Sequence, residues 1–210
     1  MAQLELVRPV PTPQSAPRGD HEVIALMVGE GAKTLDVGCG DGALLSLLAR
    51  ERLARASGIE LDRAKAHACV ARGLSVMQAD AEVELAAFPA GAFDTVIFSR
   101  SLQGFRWPGA ALREAARIGA QIIVSVGNSA HWRSRLHLLT KGAMPEPPGW
   151  GGFEQLHRWS VRDFAALARE TRLRIERAAP MSHGRAGAPF AKSLWRANWF
   201  AEEAVFLLSS

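Results

Sequence analysis

The sequence's clearest candidate for chemistry is a glycine-rich turn between the first predicted strand and the helix after it. Residues 36–42 read DVGCGDG. Glycine has no Cβ, so the three glycines let the backbone turn tightly and let a ligand approach the main chain closely. Because open α/β sheets bind ligands at the carboxyl ends of their strands, this turn is a candidate binding site.

The glycine turn alone does not identify the ligand. Gly38, Gly40 and Ala43 also fit the Gly-x-Gly-x-x-Ala fingerprint of dinucleotide-binding proteins. Glu60 ends the second predicted strand, where a carboxylate can accept hydrogen bonds from both ribose hydroxyls of an adenosine. At this point NAD and S-adenosylmethionine fit the sequence equally well.

Two further acids favour S-adenosylmethionine, or its product S-adenosylhomocysteine. Asp36 precedes the glycines, and Asp80 follows the third predicted strand. Extra negative charge repels a pyrophosphate, whereas S-adenosylmethionine offers an ammonium, a sulfonium and an adenine amine. Any one of these acids alone could serve a local turn, but the three together with the glycines predict a site for the methyl donor.

Short β-type runs alternate with helical stretches, which is typical of βα units that build a mostly parallel sheet. The predicted strands are residues 34–38, 56–61, 74–78, 93–99, 121–126, 173–179 and 201–209. The predicted helices are residues 42–51, 62–72, 108–119, 129–141 and 160–171. Asp62 is expected to cap the second of these helices, and Ser160 with Asp163 to form a capping box on the last.

One predicted helix carries an apolar stripe of its own. Trp132, Leu136 and Leu139 are spaced i, i+4 and i+7, and we expect this stripe to pack into the core. The following residues, 143–154, contain three prolines and three glycines and are predicted to form a loop.

Length and composition predict one folded domain. The chain has 210 residues, of which 48% are hydrophobic and 22% charged, and this composition argues against overall disorder. Four prolines fall within residues 8–19, so we expect a flexible N-terminal arm over residues 1–19 and a single domain over residues 20–210.

The two cysteines, Cys39 and Cys69, are too few for a disulfide framework or a structural zinc site. Cys39 is expected to be a small residue of the glycine turn rather than a nucleophile. We see no secretory signal pattern and no apolar run of about 18 residues. These observations predict a cytoplasmic protein with no membrane span and no metal.

Charge is unevenly distributed along the chain. Residues 1–100 carry 10 basic and 13 acidic side chains, whereas residues 101–210 carry 15 basic and 8 acidic ones. A basic half can attract acidic metabolites or nucleic acid. However, 21 of the 25 basic residues are arginines scattered along the sequence, which favours a composition bias over a nucleic-acid surface.

If methyl transfer takes place, its acceptor is expected near the ends of the fourth and fifth strands. The polar residues predicted to line that side are Ser99, Arg100, Ser101, Gln103, Asn128, His131 and His157. His131 is the candidate catalytic residue, as a general base, although a histidine at a helix start more often has a structural role. A second set could bind an acidic metabolite or a partner's carboxylates, or could simply form a solvated helix face: Arg133, Arg135, His137 and Arg158.

The segments LDVGCGDGALL, GIELD, ADAEVELAAFPAGAFDTVIFS and WFAEEAVFLLS resemble class I S-adenosylmethionine-dependent methyltransferases, and more narrowly the MetW family of methionine biosynthesis proteins. The resemblance extends from about Arg18 to the C-terminus. It implies a Rossmann-like class I methyltransferase fold, an α/β fold whose seven-stranded, mostly parallel sheet is flanked by helices and ends in an antiparallel strand.

The resemblance also implies a ligand and a partner. Together with the residue pattern, it predicts a donor-binding set of Asp36, Gly38, Cys39, Gly40, Gly42, Glu60, Leu61, Asp80, Ala81 and Ser99. It implies that the protein works with a homoserine O-acyltransferase in methionine synthesis. A methyltransferase acting on a small molecule is the alternative hypothesis, and a nucleic-acid methyltransferase is a third that the scattered arginines disfavour.

Overall fold

A computed structural model describes residues 16–143, 145, 156–187 and 194–210 of the chain. The strands are Lys33–Val37 (β1), Arg55–Glu60 (β2), Ser75–Gln78 (β3), Phe93–Ser99 (β4), Gly119–Gly127 (β5), Arg174–Ser182 (β6), Arg185–Ala186 (β7) and Glu203–Ser209 (β8). The helices are Gly19–Met27 (α1), Ala43–Arg52 (α2), Arg63–Ala71 (α3), Ala81–Glu84 (α4), Pro108–Ile118 (α5), Trp132–Lys141 (α6), Val161–Glu170 (α7) and Leu194–Phe200 (α8).

The strands form one sheet in the order β3-β2-β1-β4-β5-β8-β6-β7. The first five of these are parallel, and β8 runs antiparallel to both β5 and β6. The predicted Rossmann-like class I fold is therefore confirmed, including the reversed last strand. Strand β7 was not predicted; it has two residues and pairs with the end of β6, so the sheet has eight strands rather than the predicted seven.

Each central strand sends alternate side chains to opposite faces of the sheet, and both faces are buried. In β4, Val96 and Phe98 belong to the hydrophobic cluster on one face, and Ile97 belongs to the cluster on the other. Residues of α5 and α7 complete the first cluster, and residues of α1 and α2 complete the second. This packing fixes the carboxyl ends of β1, β2 and β4 next to one another.

Sequence signals placed two helix starts correctly. The Asp62 carboxylate accepts hydrogen bonds from the backbone N–H groups of Ala64 and Lys65 at the start of α3. Ser160 and Asp163 form the predicted reciprocal capping box on α7. Among the described residues, no helix is long and apolar enough to span a membrane.

The prediction that the α6 stripe packs into the core is wrong. Trp132 is 39% exposed, Leu136 50% and Leu139 83%. The helix is held instead near its N-terminal end, where the Arg135 guanidinium donates to the Ala130 carbonyl. A 3.6-residue period shows that a helix has an apolar side, but it does not show what covers that side.

The predicted N-terminal arm and the predicted loop over residues 143–154 can be compared with the structure only in part. The arm predicted for residues 1–19 extends too far, because Gly19 already belongs to α1 and Arg18 donates a hydrogen bond to Ser99 at the end of β4. Residues 1–15 lie outside the described residues, as do most positions of the loop predicted for residues 143–154.

Candidate functional site

The glycine turn joins β1 to α2 at the point where strand order reverses, between β1 and β4. Gly38, Gly40 and Gly42 all have positive φ, between 59° and 77°. A Cβ on Gly38 would lie 2.7 Å from the Ser101 Cβ, so glycine is required there by space as well as by conformation. A Cβ on Gly40 would meet nothing within 4 Å, so this part of the turn faces open space.

Glu60 lies at the end of β2 and is buried, with 3% of its surface exposed. Its Oε2 accepts a 2.7 Å hydrogen bond from the Gly40 N–H, and its Oε1 accepts one of 2.9 Å from the Asp62 N–H. The carboxylate therefore holds the glycine turn in place. Because each carboxylate oxygen has a second lone pair, Glu60 keeps acceptor capacity for a ligand.

Asp36 is the acid at the end of β1, and it is also buried. Its Oδ1 has no hydrogen-bond partner among the described residues. Burial is the main cause that raises the pKa of Asp36 to about 7; the charge of Arg18 opposes this shift, and the nearby acids Asp20 and Glu60 add to it. A buried carboxyl group without a partner is costly, so this atom is a natural acceptor for a ligand's cationic or N–H group.

A buried network that sequence reasoning missed lies beside these acids. Asp20, fully buried at the start of α1, accepts hydrogen bonds from the Arg18 guanidinium and from the hydroxyls of Ser99 and Ser125. Burial would raise the pKa of Asp20, but the hydrogen bonds and charge of Arg18 hold it well below its usual range. Arg18 also donates a 2.6 Å bond to Ser99 Oγ, so α1 is fixed to the end of β4.

His21 completes this region. Burial lowers its pKa to about 4, because the loss of hydration outweighs the attraction of Asp20. The imidazole is therefore neutral at physiological pH.

The polar residues predicted to line an acceptor side of β4 make contacts within the protein. Arg100 pairs with Glu203, with Nε and Oε1 2.8 Å apart, and the Ser101 hydroxyl donates to the Val37 carbonyl. Gln103 accepts from the Gly127 N–H at 2.9 Å. These three side chains tie the loop after β4 to its neighbouring strands.

The predicted residues after β5 also have structural contacts. The Asn128 amide donates to the Ala201 carbonyl at 2.7 Å, and so fixes the end of α8. His131 caps α6, with Nδ1 accepting from the Arg133 N–H at 3.3 Å. Burial is the main cause that lowers the pKa of His131. The His157 Nε2 lies 3.0 Å from the Phe105 carbonyl oxygen.

Three members of the predicted donor-binding set lie at or near the protein surface. Leu61 is 67% exposed, and Asp80 and Ala81 begin α4. The exposed Asp80 carboxylate accepts a hydrogen bond from the Glu82 N–H at 2.9 Å. Cys39 lies inside the turn, buried against Gly58, and burial raises the pKa of its thiol. That shift favours the expected packing role over a nucleophilic one.

The basic residues considered as a site for acidic ligands do not form one cluster. Arg133 lies over the ring of Trp132 and Arg135 over that of Trp199, both on or next to α6. Arg158 donates instead to the Pro145 carbonyl. Within the described parts of the chain, no group of three His, Cys, Asp or Glu side chains could hold a metal ion.

Comparison with known proteins matches the chain to one protein family. The profile described as methionine biosynthesis protein MetW matches residues 18–208. The chain is 32% identical over 157 residues to the bifunctional methionine biosynthesis protein MetXA/MetW of Rhodopirellula baltica. That match covers 71% of this chain and 25% of the relative, so the chain spans about a quarter of the relative's length.

Solved structures show the same fold. A SAM-dependent methyltransferase from Thermotoga maritima superposes with a TM-score of 0.67 at 14% identity, covering 91% of this chain and 87% of that one. A TehB-like SAM-dependent methyltransferase from Corynebacterium glutamicum gives a TM-score of 0.61 at 19% identity, covering 92% and 88%. At these identities the likeness establishes the fold alone.

Proposed function

Because the chain belongs to the MetW family of methionine biosynthesis proteins, we propose that it binds S-adenosylmethionine and acts with a homoserine O-acyltransferase. The observation that carries the ligand part is the buried Asp36 carboxyl group, whose Oδ1 has no partner among the described residues. It lies in a site that also contains an open glycine turn and a second buried acid, Glu60. This combination suits a cationic nucleoside better than a pyrophosphate.

The residues that would hold the ligand are those of the predicted set. They are Asp36, Gly38, Cys39, Gly40, Gly42, Glu60, Leu61, Asp80, Ala81 and Ser99. S-adenosylmethionine supplies an activated methyl group on a sulfonium when it is bound. We assign to Glu60 the ribose hydroxyls and to Asp36 the ligand's positive charge.

Arg18 adds a cation for the amino-acid end of the ligand. Its side chain is 40% exposed although Asp20 and Ser99 fix its guanidinium. The positive charge of Arg18 also lowers the pKa of Asp36. A pair of one cation and one acid matches the carboxylate and ammonium of a zwitterion, and it was not anticipated from the sequence.

The acyltransferase part of the proposal comes from family membership and from the curated relative. That relative joins MetXA and MetW in one bifunctional protein, and we infer that its MetXA part is the acyltransferase. We infer that the present chain acts with the same kind of partner. We place this role in the cytoplasm, where the free thiols of Cys39 and Cys69 remain reduced.

Methyl transfer by this chain has less support from the geometry. The side chains of Arg100, Ser101 and Gln103 bond to the protein itself, as does the capping nitrogen of His131. General-base catalysis by His131 stays a prediction. Binding of the ligand as a signal, with the partner responding to occupancy, needs no catalytic group.

The function is tested by mixing the purified chain with the homoserine O-acyltransferase of the same organism. We expect the two proteins to co-purify and the acyltransferase rate to change on mixing. We further expect the change to depend on added S-adenosylmethionine. If the proteins neither co-purify nor alter the rate, the proposed function is wrong.

The affinity for S-adenosylmethionine should decrease as the pH is lowered below 7, because Asp36 becomes protonated. Its pKa in the free protein is about 7, and a bound cation favours the carboxylate. From pH 7 to pH 5.5 we expect a roughly tenfold loss of affinity for S-adenosylmethionine. Asp36→Asn should bind weakly with little pH dependence. Isothermal titration calorimetry at several pH values measures both.

His21 does not obscure this test, because its pKa of about 4 keeps it neutral across the range. An affinity that is flat for the wild type would contradict the assignment of Asp36. So would a slope that persists unchanged in Asp36→Asn.

A further inference from the structure

The apolar side of α6 and the neighbouring α8 leave several large hydrophobic side chains in solvent. Trp132, Leu136 and Leu139 on α6 are 39%, 50% and 83% exposed, and Trp195 and Phe200 on α8 are 59% and 56% exposed. We call these five residues the α6–α8 face. Clusters of large exposed apolar side chains on a folded protein mark interaction sites more often than isolated ones do.

Direct contacts connect the two helices. The Arg135 guanidinium lies 4.3 Å from the centre of the Trp199 ring, and that ring is 6.3 Å from the ring of Trp195. Asn128, just before α6, holds the carbonyl groups at the end of α8. The face therefore belongs to one connected surface rather than to two unrelated helices.

The charged side chains on the two helices are all basic, and the exposed Glu202 follows α8. Helix α6 carries Arg133, Arg135 and Lys141, helix α8 carries Arg196, and neither helix contains an acidic residue. Two copies of the face related by a two-fold axis would bring these basic groups together, which disfavours self-association. A partner with an apolar patch bordered by carboxylates is complementary.

The face is also connected to the candidate ligand site. Helix α8 leads directly into β8, whose first residue, Glu203, pairs with Arg100. The Arg100 Nε lies 3.9 Å from Asp20 Oδ2, and Asp20 holds Arg18 in the ligand site. A partner on the face would therefore contact elements that share a polar network with that site.

We propose that the α6–α8 face is the docking surface for the homoserine O-acyltransferase, which contributes an apolar patch bordered by carboxylates. This inference rests on the proposed function, because the partner is the one named there. Exposed tryptophan and leucine side chains supply the anchors, and the arginines select an acidic surface.

The test compares variants of matched chemistry. Leu139→Glu and Trp195→Ala alter the face, whereas Leu26→Glu places the same charge at a comparably exposed leucine, 76% exposed on α1. We expect the two face variants to bind the purified acyltransferase at least tenfold more weakly than the wild type, and Leu26→Glu to bind equally well. All three should keep the wild-type thermal midpoint and affinity for S-adenosylmethionine.

The possible results separate the inference from the function. If the wild type does not bind the acyltransferase, the proposed function fails and this inference with it. If the wild type binds and the face variants bind equally well, the function stands and the inference is overturned. Loss of thermal stability with partner binding retained would show that the chain covers its own face. A changed oligomeric state with binding retained would show that a second copy does, and both results overturn the inference.

Discussion

Replacing Asp20 with alanine should lower the free energy of unfolding by about 3 kcal/mol at pH 7. The carboxylate is fully buried and accepts hydrogen bonds from Arg18, Ser99 and Ser125. Its removal leaves two buried hydroxyls without their acceptor and breaks the ion pair with Arg18. The expected loss of unfolding free energy is at the lower end of the range for breaking a buried ion pair, because the Arg18 side chain is 40% exposed and stays partly hydrated. Urea unfolding measures the change.

Asp94→Ala is the matched control for this experiment. Asp94 is exposed and accepts one backbone hydrogen bond, from Lys33, so its loss should cost about 1 kcal/mol or less. The pKa of Asp20 is lowered by folding, so its contribution is complete above the unfolded value of about 4 and is lost as pH falls below that. The Asp20→Ala deficit should therefore persist from pH 5 to pH 8, and it should decrease somewhat toward pH 8 because loss of the Asp20 charge lowers the pKa of Asp36. A deficit no larger than that of Asp94→Ala would contradict the role of the network.

Replacing Glu60 with alanine should weaken S-adenosylmethionine binding by about 100-fold. The variant loses the carboxylate that we assign to the ribose, and it loses the two hydrogen bonds that fix Gly40 and Asp62. Bonds to a charged group contribute about 1.5 to 3 kcal/mol each, and 1.4 kcal/mol corresponds to a tenfold change in affinity. Calorimetric titration of folded variants gives the ratio.

Glu60→Gln distinguishes the charge from the shape of this side chain. The amide keeps one oxygen and nearly the same volume, so it can hold either the turn or a hydroxyl but not all partners at once. We expect an intermediate loss, about tenfold. Unchanged affinity in both variants would remove Glu60 from the site.

Much of the fold could be predicted from the sequence because its signals are local. Strands β1, β2 and β4 are runs bounded by turn residues, and Asp62 and Ser160 cap helices through bonds to their own next turn. Helix α1 lacks such a signal, because its N-cap residue is Arg18. The short strand Arg185–Ala186 exists only as the partner of β6.

One part of the candidate site could also be predicted from the sequence, and another part could not. The glycine turn and Glu60 could be placed in advance because they follow strands whose parallel ends must meet. The Asp20 network could not, since Asp20 meets Ser99 and Ser125 across 79 and 105 residues of sequence. The exposure of Leu139 could not be predicted either. The periodicity of a sequence shows that a helix has an apolar side, but it does not show which element, if any, packs against that side.

We propose above all that this site binds a nucleoside that carries an amino-acid group with a cationic ammonium. Calorimetric titration of the wild-type chain with S-adenosylmethionine, S-adenosylhomocysteine and NAD, run side by side at pH 7.5, tests it most directly. We expect saturable one-site binding of the first two ligands and no binding of NAD. Binding of NAD alone, or no heat from any of the three, would contradict it.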